Sequence, residues 1–94
     1  MVTTLVKRND DAGRYEITVD DQLAGFVTFR ESGDVITFVH TETESEFKGQ
    51  GVASTLVREA LGDARARSLR VIPRCPFVRS FIDDHPEYQD LLAE

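Results

Sequence analysis

Three stretches of the chain carry residue types that can do chemistry. His40 ends the apolar run Val35-Ile36-Thr37-Phe38-Val39, and an imidazole with an ordinary pKa titrates near neutrality, which suits a general base. Cys75 lies between Arg74 and Pro76, with Arg79 one turn further on. Cations and a helix start both enrich the thiolate, so this thiol is a candidate nucleophile, with His40 as the group that takes its proton. Lys48-Gly49-Gln50-Gly51-Val52-Ala53 opens an amphipathic stretch with no Ser, Thr, Asp or Asn to cap it. A helix start leaves about four amides without intrahelical partners. Glycine lets the backbone come close to a ligand, and the amides together with the helix dipole favour a phosphate. Each feature also has a plain structural reading: a histidine satisfied by a backbone partner, a small buried cysteine, a glycine turn.

The elements that must position these residues can be read from periodicity. Tyr15-Glu16-Ile17-Thr18-Val19 alternates as a half-buried strand does, and the turn cluster Asn9 to Gly13 pairs it with a strand over residues 3–8. Residues 23–30 read as a third strand. Residues 35–40 read as a fourth, apolar on both faces and therefore central. Val52, Ala53, Leu56, Val57, Ala60, Leu61 and Ala64 then fall at helical spacing, which predicts a helix over roughly residues 51–67. A short strand follows at 69–73. Pro76 starts a helix whose apolar side is Phe77, Val78, Phe81 and Ile82, and Pro86 starts a last short helix through Leu92.

The expected architecture is thus α/β: a mixed sheet made of an antiparallel N-terminal meander, a β-α-β unit and short C-terminal helices. The two strands of the unit should run parallel with a right-handed crossover. In that arrangement His40, the start of the long helix and Cys75 come to the same sheet edge, where open α/β sheets bind ligands.

Charge narrows the choice of ligand. The chain has 94 residues and a net charge of −6, too few residues for a second domain. Residues 47–79 nonetheless carry seven basic and two acidic side chains, between acidic flanks. That island suits a compact anion such as a phosphorylated cofactor, whereas a nucleic acid would have to pass the flanks. No apolar run approaches the ~20 residues of a membrane span. Met1 to Arg8 shows no secretory h-region, and the lone cysteine fits a reducing cytoplasm. His85 with Asp83 and Asp84 lacks the usual metal-ligand spacing and is better read as helix capping, so no metal is expected. Glu42, Glu44 and Glu46 either attract a cationic acceptor or form a solvated loop.

The helix start resembles the [Gln/Arg]-x-x-Gly-x-[Gly/Ala] signature of the GCN5-related N-acetyltransferases, with Lys48 where the pattern prefers Arg or Gln. His40-Thr41, Phe47 to Ala53, Val71 to Val78 and His85-Pro86-Glu87-Tyr88 together resemble the minimal single-domain members of that superfamily, over about residues 14–92. The resemblance implies a single domain spanning residues 1–94. It implies an acetyl-CoA-dependent acyltransferase whose sheet splays between the strand ending at His40 and the strand ending at Pro73, with the pantetheine arm lying in the splay. Lys48, Gly49, Gln50, Gly51, Val52 and Ala53 would hold the pyrophosphate. Cys75 and His40 would be catalytic, either through an acetyl-cysteine intermediate or by direct attack with His40 as base. The implied acceptor is a small-molecule or peptide amine, and the implied state a monomer or weak homodimer. Tyr88 would protonate the departing thiolate or merely pack. The N-terminal helices that build the acceptor floor of larger members are missing, since nothing before residue 51 has a helical period. A non-catalytic acetyl-CoA-binding or sensing module is the alternative.

Overall fold

A computed structural model describes residues 3–93. Met1, Val2 and Glu94, which enter the readings of the N-terminus and of the terminal charge, lie outside the described residues. The elements run β1 (Thr4–Asn9), β2 (Arg14–Val19), β3 (Gln22–Ser32), β4 (Val35–Thr43), a 3-10 turn (Ser45–Phe47), α1 (Val52–Ala66), β5 (Arg70–Pro73), α2 (Pro76–Asp84) and a 3-10 segment (Pro86–Leu91). The sheet order is β1-β2-β3-β4-β5. The first four strands form the expected antiparallel meander, and β5 lies parallel to β4.

Alternation along each strand explains which face is buried. Ile17, Val27, Phe38 and Val71 share one face with Tyr15 and Ile36, and all six are buried. Val52, Leu56, Val57, Ala60, Leu61 and Ala64 of α1 pack on that face, and Val78, Phe81 and Ile82 of α2 join the same core. α1 touches all five strands and also α2, so both helices lie on one side of the sheet. Among the described residues no second layer covers the opposite face. Arg14, Glu16, Phe26, Thr28, Thr37 and Ile72 are only half-buried there, and Val39 is exposed. β4 does lie between two neighbours, but its second apolar face is open rather than covered. No helix among the described residues is long and apolar enough to cross a membrane.

Two bulges bend the sheet. Ala24 is the extra residue of β3 against β2, and Val39 is the extra residue of β4 against β3. Beside the first, Gly25 faces β4 so closely that a Cβ there would stand 2.7 Å from the Glu42 carbonyl oxygen.

A polar clamp ties the meander to the distal half of α1. The buried Tyr15 hydroxyl donates to Asp63 Oδ2, which also accepts from Arg67 Nε at 2.7 Å. Arg8 Nη1 donates to the same phenol oxygen at 3.4 Å. Burial, reinforced by the Asp63 carboxylate, pushes the Tyr15 phenol up to about 12. The folded protein therefore holds this proton more tightly than the unfolded chain does. The associated stability is complete below about pH 10 and is lost as pH rises toward 12. Spectrophotometric titration of the native protein should show one of its two tyrosines still protonated at pH 11, and Tyr15→Phe should remove that component. Complete ionisation of both phenols by pH 11 would contradict the clamp.

Candidate functional site

The site begins where β4 and β5 part. Their ladder runs from Val35 opposite Arg70 to Phe38 opposite Pro73. The Phe38 carbonyl oxygen then accepts two amides, from Arg74 and Cys75, both at 3.0 Å. That pair turns the chain out of β5. Pro76, which has no amide to satisfy, occupies the first position of α2. β4 continues from Val39 to Thr43 paired with β3 only, so among the described residues its β5-facing edge has no strand partner there.

The start of α1 faces this free edge. Gly51 is its N-cap, with φ +75° and no side-chain cap, and Gly49 has φ +82°. The first backbone bond of the helix runs from Thr55 N to Gly51 O at 3.1 Å, so the amides of Val52, Ala53 and Ser54 precede any intrahelical acceptor. A Cβ at Gly49 or Gly51 would meet no protein atom within 4 Å. The positive φ favours glycine at these positions, and the space beside them is open.

Between the free edge and the helix start lies a groove of about 510 Å³. Residues 40–43, Lys48, Gly49 and Gly51 to Ser54 line it, with Phe47 and Phe77 as apolar walls. Ala53 and Phe77 belong to the apolar stripes of their helices, yet neither is in the core; Phe77 is 39% exposed. Gln50 does not line the groove. Its side-chain amide donates to the Glu46 carbonyl at 3.2 Å and closes the turn before the helix. Of the seven basic residues in the middle island, Lys48 alone reaches the groove. Arg65 pairs with Asp90 at 2.8 Å and holds that carboxyl below its usual range, and Arg67 pairs with Asp63.

His40 and Cys75 both stand at this end of the sheet but face different ways. His40 pairs with Thr28 on the open face. Its ring lies edge-on to Phe26, Nε2 is 3.5 Å from Glu42 Oε2, and the side chain is 62% exposed. Cys75 is 3% exposed in the core. Its sulfur meets the Thr41 hydroxyl at 3.1 Å, and no contact with the imidazole is present. The Val39 bulge, invisible to strand periodicity, decides this parity. Thr41, which sequence reasoning passed over, is the residue on the thiol. Tyr88 leans on Phe81 and lines a separate cavity below α1. His85 caps the end of α2, with Nδ1 2.7 Å from the Phe81 carbonyl oxygen.

The groove offers an extended ligand a strand edge of five residues, about 17 Å long, and offers an anion uncapped amides with Lys48 beside them.

Residues 14–91 match the sequence profile of the GCN5-related N-acetyl-transferases. The fold is similar to that of a GCN5-like protein from Staphylococcus aureus, at 26% identity and a TM-score of 0.71, over 94% of this chain and 86% of that one. It is also similar to ribosomal-protein-alanine N-acetyltransferase from Brucella melitensis biovar Abortus 2308, at 23% identity and a TM-score of 0.61, over 86% of this chain and 61% of that one. Ard1 from Thermoplasma volcanium aligns at 19% identity and a TM-score of 0.57, over 65% of this chain and 43% of that one. These last two likenesses are of fold, and this chain spans less than two thirds of either protein.

One side chain too many should disturb the free edge. Gly25→Ala brings a methyl against the Glu42 carbonyl, which must move. Chemical denaturation should report a loss of about 1–3 kcal/mol, with amide shift changes concentrated in residues 40–43. An unaltered midpoint would mean that β4 is not held there.

Proposed function

The chain belongs to the GCN5-related N-acetyltransferase family, and from that premise we propose that it transfers the acetyl group of acetyl-CoA to an amine. One observation carries the reading: a single groove joins an uncapped, glycine-flanked helix start to a strand edge with no partner. The first suits a pyrophosphate and the second an extended amide-bearing arm. Acetyl-CoA supplies both, together with an acyl group activated as a thioester; no metal is invoked. We take residues 1–94 as one domain of this kind.

Each residue then has a role that follows from its position. Lys48 adds charge beside the pyrophosphate, and the amides of Gly49, Gly51, Val52 and Ala53 form its cradle, while Gln50 closes the turn before it. Lysine gives up the planar fork of arginine but keeps the charge. His40 is the general base. Its imidazole is accessible from the open face of the sheet, with Glu42 Oε2 3.5 Å from Nε2. A small-molecule or peptide amine reaches it across that face, which no helical layer covers. Direct attack is favoured over an acetyl-cysteine intermediate, because the Cys75 thiol is buried, bonded to Thr41 and out of contact with His40.

Three measurements test this. Calorimetry with coenzyme A should show binding to the wild type and none to Gly51→Val. The strained cap should cost that variant about 1–2 kcal/mol of stability without unfolding it. Unchanged affinity would remove the pyrophosphate from the helix start. Release of coenzyme A, followed across a panel of primary amines, should fall at least ~10²-fold in His40→Ala. Intact mass after incubation with acetyl-CoA alone should show no acetyl adduct. An adduct that disappears in Cys75→Ser would establish the covalent route instead. Binding without release on any amine would leave a non-catalytic module.

A further inference from the structure

Thr41 stands between the groove and the buried thiol. It pairs with Val27, whose side chain is in the core, so it points to the helix side of the sheet, opposite to His40. Thr41 lines the groove and Cys75 does not. The Thr41 hydroxyl has one side-chain partner among the described residues, the Cys75 sulfur at 3.1 Å. A hydroxyl has one proton to donate and two lone pairs to accept with, and a thiol is a weak donor.

We propose that Thr41 binds the acyl carbonyl oxygen, with Cys75 as the positioning residue behind it. The thiol S–H donates to Thr41 Oγ1 and fixes the hydroxyl rotor. The hydroxyl proton is then free for an acceptor in the groove. A thioester carbonyl laid along the free edge of β4 is such an acceptor, and it gains most from a fixed donor when negative charge builds on its oxygen during attack. This gives the buried cysteine a task that needs neither exposure nor acylation. The inference rests on the acyl-transfer reading above.

Isotope-edited infrared spectroscopy of bound [1-13C]acetyl-CoA provides a readout separate from turnover. The carbonyl band should lie at lower wavenumber in the wild type and in Thr41→Ser than in Thr41→Val. It should move part of the way to the Thr41→Val position in Cys75→Ala. Thr41→Ala serves the same comparison if valine disturbs the fold. By calorimetry, acetyl-CoA should bind Thr41→Val about three- to tenfold more weakly than the wild type, the span of one neutral hydrogen bond. Coenzyme A itself, with no acyl group, should bind both within about twofold on the same reasoning. An identical carbonyl band in the wild type and Thr41→Val, with ligand bound to both, overturns the role of Thr41 and leaves acyl transfer standing. A wild type that binds neither ligand overturns both.

Discussion

At Phe38 one carbonyl oxygen accepts hydrogen bonds from the amides of Arg74 and Cys75, and the rest of the site depends on that pair of bonds. A parallel ladder would otherwise continue and leave no room for a ligand between β4 and β5. Two donors on one acceptor instead end the pairing, and the proline that follows commits the chain to a helix. The next residue of β4, Val39, is the bulge against β3. Splay and bulge therefore fall at adjacent positions. The first exposes the strand edge, and the second sets which side chains look into the groove.

The helix opposite that edge is held unevenly. Its apolar stripe, Val52, Leu56, Val57, Ala60, Leu61 and Ala64, packs under the sheet along its whole length, and the clamp of Tyr15, Arg8, Asp63 and Arg67 closes over its distal end alone. Its start has no side-chain cap and two glycines with positive φ. A Ser or Asp cap there would be worth about 1 kcal/mol, but it would occupy the amides that an anion needs. The clamp holds the end far from the groove, and the near end keeps its amides open for binding.

The open face of the sheet follows from a chain that forms only two layers. α1 and α2 cover one side, and the residues of the other remain half-buried or exposed. His40 and Glu42 belong to that open side, whereas Thr41 and Cys75 belong to the covered side. One strand thus separates the group that would handle the acceptor's proton from the pair that would hold the acyl oxygen.

Much of this was legible in the sequence. Period-two and helical-period runs located the strands and both helices, and Gly49 and Gly51 marked a start without a cap, because these signals are local. The parallel β-α-β unit followed from the length of the crossover, and with it the gathering of residues 40, 51 and 75 at one edge. Side-chain direction was not legible. A single bulged residue reverses the parity of a strand, and Val39 looks like any strand valine, so the separation of His40 from Cys75 and the pairing of Thr41 with the thiol exist only in the folded register. Nor could the charge count say that Arg65 pairs with Asp90, since those partners are brought together by a contact between elements, whereas Arg67 and Asp63 are an i,i+4 pair at the end of α1. Local chemistry decided which elements form and where their ends lie, and long-range hydrogen bonding decided which residues meet across them.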